Sequence, residues 1–145
     1  MKKATRYICI ILVLSFIMAI PVSAQGGTEP RESAFFAAHE VYLSKVSENR
    51  FKVWYDVTAT GIMQKLGVSK IEVDHSPDGQ NWELVATYEM GYYPAFVVSN
   101  TASHSGYLTY YGATPGYYYR AYVTFYAKNS SGTAKLSRMT ATLRM

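Results

Sequence analysis

The sequence predicts an all-β chain folded as a single β-sandwich of about seven antiparallel strands. Three observations carry that prediction. Short apolar runs alternate with polar residues at a period of 2, and turn residues separate them. No stretch shows the 3.6-residue period of an amphipathic helix. Residues 115–132, PGYYYRAYVTFYAKNSSG, form a long alternating strand between a Pro-Gly turn and an Asn-Ser-Ser-Gly turn. An inner sandwich strand that begins at a tyrosine corner has this form, with Tyr119 as the corner residue.

The N-terminus has the pattern of a secretory signal. Lys2, Lys3 and Arg6 precede an apolar run over residues 7–20, Pro21 breaks that run, and Val22-Ser23-Ala24 supplies small residues for a cut after Ala24. The run is shorter than the ~20 residues that span a bilayer, which argues against a retained anchor. Cys9 lies inside it and not after the cut, which argues against a lipoprotein. The expected organisation is therefore a signal peptide over 1–24, a flexible Gly/Glu/Ser leader over 25–33 and one domain over 34–145. Of 14 basic and 10 acidic residues, three basic ones leave with the signal, so the net charge falls from +4 to +1. No Lys/Arg run remains as the footprint of a nucleic-acid binder. Cys9 is the chain's single cysteine, so the mature chain has none, and disulfides and thiolate chemistry are excluded.

Val41, Leu43 and Val46 mark a first strand and Asn49-Arg50 a turn. In the second strand Phe51, Val53, Tyr55 and Val57 alternate with Lys52, Trp54, Asp56 and Thr58, which sends the first set inward. Residues 60–67, TGIMQKLG, break the alternation and read as a longer connection with room for one helical turn. A third strand follows over 68–75, with Ile71, Val73 and His75 on one face. Ser76-Pro77-Asp78-Gly79 is a strong turn signal, since proline presets φ and glycine accepts φ > 0. A fourth strand returns over 82–88. Residues 90–103 are irregular and partly apolar, either an edge strand or a covering loop. Residues 107–111 form a short strand. In the long strand Tyr119, Ala121, Val123, Phe125 and Ala127 face inward, and residues 133–142 form the last strand.

Two resemblances follow from these motifs. The order of IEVDHSPDGQNWELV, the TPG turn before Tyr119 and the strand ending AKNSSG resembles immunoglobulin-like modules of the fibronectin type III kind. The inward slot usually held by tryptophan is Tyr55 here, with Trp54 on the opposite face. More closely, TEPRES, FKVWYDVTATG, SPDGQNW, SHSGYLTYYG and YYYRAYVTFYAKNSSG resemble a family of small exported proteins of unknown function from clostridial Firmicutes. That resemblance implies a secreted bacterial protein and brings no catalytic residues with it.

Little in the sequence points to catalysis. Asp74-His75-Ser76 holds the residue types of a hydrolase triad, yet neighbours on a strand point to opposite faces and cannot form a relay. SPDGQNW resembles the Asp-box hairpin of glycan-active propellers with one residue fewer between Asp and Gly, and reads as a turn in which Asp78 bonds its own backbone. His39, His75 and His104 lack metal-ligand spacing, and no calcium loop is present. No catalytic, cofactor or metal site is therefore expected. Tyrosine is the unusual quantity: 13 of the 14 lie after the signal, and 11 of those fall between Tyr88 and Tyr126. They either build the sheet through cross-strand pairs or form a recognition surface, since tyrosine offers flat apolar area with a polar tip. The candidate surface is Trp54, Tyr92, Tyr93, Tyr110, Tyr118, Tyr122 and Tyr126 with the 90–103 segment. The expected role is an extracellular binding module for a glycan or a protein. The alternative is a self-associating matrix protein that pairs through its edge strands.

Overall fold

A computed structural model describes residues 34–145. The predicted signal peptide and leader lie outside the described residues. Seven strands run β1 Phe36–Ser47, β2 Arg50–Ser76, β3 Glu83–Glu89, β4 Val97–Tyr111, β5 Tyr118–Asn129, β6 Gly132–Met139 and β7 Leu143–Arg144. All pairings are antiparallel and belong to one sheet. The described residues contain no α-helix, only short 3₁₀ turns such as Pro94–Phe96.

The fold is organised by β2, which is 27 residues long. Its first half pairs with β1 on one side and with β4 on the other. Its second half pairs with β5 on the first side and, on the other, with the start of β4 and then β3. Residues 60–67 are thus not a connection, and no helical turn forms there. The alternation fails for a different reason: opposite β4 the register jumps from Thr58↔Ser103 to Met63↔Thr101. Extra β2 residues bulge out at this point, leaving Ile62 76% exposed. Such a bulge bends a strand and increases its twist. A second irregularity against β5, between Val68 and Lys70, continues the bend.

The bent sheet curls over its own inner face. Phe51, Val53, Tyr55 and Val57 from the first half of β2 are buried, as are Leu66, Val68, Ile71 and Val73 from the second. Tyr119, Ala121, Val123, Phe125 and Ala127 of β5 join them in one core. The two halves touch through it: the Phe51 and Tyr119 rings lie 5.1 Å apart, and His39 of β1 meets Phe125 edge-on at 5.8 Å. Burial pushes the Tyr55 hydroxyl up to about 12. Tyr119 opens β5 as a corner residue, its hydroxyl accepting the Thr114 backbone N–H at 2.8 Å. Residues 90–103 resolve into a turn, a 3₁₀ turn that buries Phe96, and the first half of β4. The predicted last strand ends at Met139, and two further residues pair separately with β5 as β7.

Candidate binding surfaces

Register places three aromatic residues in one row across the outer face of β1, β2 and β4. Tyr42 pairs with Trp54, and Trp54 pairs with Tyr107. Each is outward because its strand neighbours, such as Val53, Tyr55 and Leu108, enter the core. Tyr42 and Tyr107 are 51% and 50% exposed, and Trp54 is half-buried between them. The Tyr42 and Trp54 rings are near-parallel, at 14° with centroids 6.0 Å apart. Tyr107 tilts at 52° to Trp54, 4.8 Å away. The Trp54 indole N–H donates to Ser44 Oγ at 2.9 Å, which fixes the ring in the face. Lys52 Nζ sits 3.8 Å from the centre of the Tyr107 ring and 5.1 Å from that of Trp54, as a cation–π contact. Glu40, Asp56 and Ser105 form the next row on one side, and Ser44, Lys52 and Thr109 on the other. An apolar strip is thereby flanked by groups that can hydrogen-bond.

Of the residues expected from sequence, Trp54 alone belongs to this row. Tyr42 and Tyr107 were not expected, because their alignment with Trp54 depends on strand register. Tyr110 corrects the expectation of an outward side chain. It pairs with Phe51, stacks on that ring at 5.0 Å and lies 5.8 Å from Tyr119, on the core side of β4. Burial, and then the neighbouring Tyr119, raises its hydroxyl pKa. Tyr93 stacks on Phe96 at 5.1 Å and meets Tyr88 edge-on while remaining 37% exposed, and Tyr92 projects from the turn at 84% exposure. Tyr118, Tyr122 and Tyr126 lie along the outer face of β5, on the other half of the curled sheet. Tyr118 packs against the Gly79 turn and near Arg144. Tyr122 borders Arg120, which is stacked over Trp82 at 4.2 Å and ion-paired with Asp74 at 3.0 Å. Tyr126 walls an open depression beneath residues 90–94.

The triad-like residues diverge. Asp74 is bound to Arg120, His75 lies among Tyr117, Tyr119 and Glu83, and the Ser76 hydroxyl donates to Asp78. Asp78 also accepts the Gln80 and Asn81 backbone N–H groups at 2.8 Å each. The backbone bonds of Asn81 and Gln80, with the Ser76 and Asn81 side chains, hold its carboxyl well below the usual carboxylate range. His104 packs on Tyr55 and contacts the Ala95 carbonyl at 3.1 Å. Burial lowers its pKa despite that carbonyl and the nearby Asp56, which both act to raise it. Among the described residues no three His, Cys, Asp or Glu side chains converge in a way that could hold a metal ion.

No protein family matches the chain, and no curated protein does. Among solved structures it is similar to the sporulation control protein Spo0M from Bacillus subtilis, at 8% identity and a TM-score of 0.39, over 70% of this chain and 48% of that one. It is also similar to the Northeast Structural Genomics Consortium target SoR45, at 12% identity and a TM-score of 0.40, over 73% and 80% of the two chains. This chain therefore spans about half the length of the Spo0M structure.

Proposed function

We propose that the protein is an exported, non-enzymatic binding module that holds an extracellular glycan on the Tyr42–Trp54–Tyr107 row. The observation that carries this reading is the exposure of two tyrosines flanking a hydrogen-bonded tryptophan on the outer sheet face, Tyr42 near-parallel to it and Tyr107 tilted at 52°. Sugar rings stack their C–H faces on aromatic rings, and rigid aromatics provide that area with little loss of side-chain entropy. The flanking Lys52, Glu40, Asp56 and Ser105 offer donors and acceptors for hydroxyl groups. The basic, apolar and small-residue pattern of residues 1–24 supports export. Kinship with fibronectin type III-like sandwiches is supported by the Tyr119–Thr114 corner bond, while the unbroken β2 is a departure from that plan.

The test is glycan-array screening followed by titration of the best ligand against Trp54→Ala. Trp54 is on the outer face, so its removal leaves the core intact. The expected result is a loss of at least about tenfold in affinity, equivalent to about 1.4 kcal/mol, with a small shift in unfolding midpoint. Unchanged affinity would return the row to ordinary cross-strand packing.

A further inference from the structure

The second half of the sheet has an outer face of different chemistry. Lys65 of β2 pairs directly with Lys128 of β5, and Tyr126 of β5 pairs with Lys135 of β6. All three lysines are exposed, and none makes an ion pair among the described residues. Directly opposed like charges, with Cβ atoms about 5 Å apart, destabilise a sheet. Among the described residues no ion pair to Lys65 or Lys128 offsets that repulsion. Lys70, nearby, is already neutralised by Glu72 at 2.9 Å.

The same face is indented. Met90 and Gly91 border both parts of an open depression, of about 630 and 380 Å³, the first part reaching Ser69 at the irregularity of β2. Lys135, Thr124 and Ser137 line the first, with Glu89 as its acidic group. Lys65, Tyr126 and Pro94 line the second. Lys128 stands beside them through its pairing with Lys65.

We infer that this depression is a second binding site, for a stretch of acidic polysaccharide. The lysines supply the charge complementarity. A lysine ammonium is a compact point charge that recognises the position of an anion and not its plane, as suits negative groups repeated along a chain. Tyr126, Met90 and Pro94 add an apolar wall for the sugar rings between the charges. The depression is open at its sides, so an extended chain fits it better than an enclosed small anion. The site is on the other half of the sheet from the aromatic row and rests on separate observations.

The purified protein would be titrated with polygalacturonate, hyaluronate and chondroitin sulfate oligosaccharides. Matched neutral dextran and inorganic polyphosphate serve as comparisons, at about 0.05 M and about 0.5 M salt. Expected is binding to at least one acidic glycan that weakens markedly at high salt, with no such salt-sensitive binding to dextran. The double substitution Lys65→Gln/Lys135→Gln should lower that affinity about tenfold or more. Tyr126→Ala should weaken the acidic glycan several-fold and leave any polyphosphate binding unchanged. Lys65→Gln alone should raise the unfolding midpoint at low salt, which separates a ligand role from a folding role. Failure of all three glycans, full affinity in the double lysine variant, or no effect of Tyr126→Ala would overturn the inference.

Discussion

Three residues fix local geometry that no substitute reproduces. Gly67 ends the short stretch, begun at Lys65, in which β2 pairs with both β4 and β5. Its φ is +153°, and a Cβ there would overlap the Phe96 carbonyl oxygen. Gly67→Ala must therefore push apart two paired backbones, and we expect a loss of at least about 2 kcal/mol, measured by urea denaturation. Tyr119 is 1% exposed and accepts the Thr114 N–H. Tyr119→Phe keeps the ring and orphans that donor, so it should cost about 1 kcal/mol in the same measurement. Asp78 acts through charge. The folded chain holds the Asp78 proton more weakly than the unfolded chain does, so acid favours unfolding. Its contribution is complete above about pH 4, the ordinary aspartate range, and fades as pH falls further. Asp78→Asn should flatten the pH dependence of the unfolding midpoint below about pH 4. His104 has the same sign in a higher window: its lowered pKa favours the folded state above about pH 6.5 and loses that effect as pH falls.

The strands divide into those legible from sequence and those set by distant contacts. The inner faces of β5 and of the first half of β2 follow a strict period of 2, and the structure buries those residues. The Asp78 turn was legible too, because its bonds are local. The continuity of β2 was not. Its bulge adds residues that belong to neither face, so TGIMQKLG carries no period although it is strand throughout. The aromatic row was only partly legible. Trp54 is outward by parity alone, but Tyr42 reaches it through a hairpin register altered by a bulge near Lys45, and Tyr107 through a pairing 53 positions away. Tyr110 had a local signal: Leu108, its i−2 neighbour, is the one aliphatic residue in YLTYY, and its burial takes Tyr110 to the core side.

At the scale of the molecule, β2 decides whether the two halves are one cooperative unit. The first half of β2 belongs to the β1–β4 side and the second to the β3–β5–β6 side, with no chain break or linker between them. Their side chains share one core, with Phe51 against Tyr119 and His39 against Phe125. Neither half can expose its inner face without also exposing that of the other, so unfolding should be a single transition. The two tryptophans report the halves separately: Trp54 lies on the outer face of the first, and Trp82, under Arg120, beside the second. Trp82→Phe leaves Trp54 as the probe, and Trp54→Phe leaves Trp82. Within each variant, fluorescence and far-ultraviolet circular dichroism should give the same denaturant midpoint. Midpoints that differ between the two probes would mean that the bulge at residues 60–62 works as a hinge between separable halves. A single transition would mean that β2 holds both outer faces in a fixed relation. A ligand on either face would then stabilise the whole chain, and both tryptophans would record the gain.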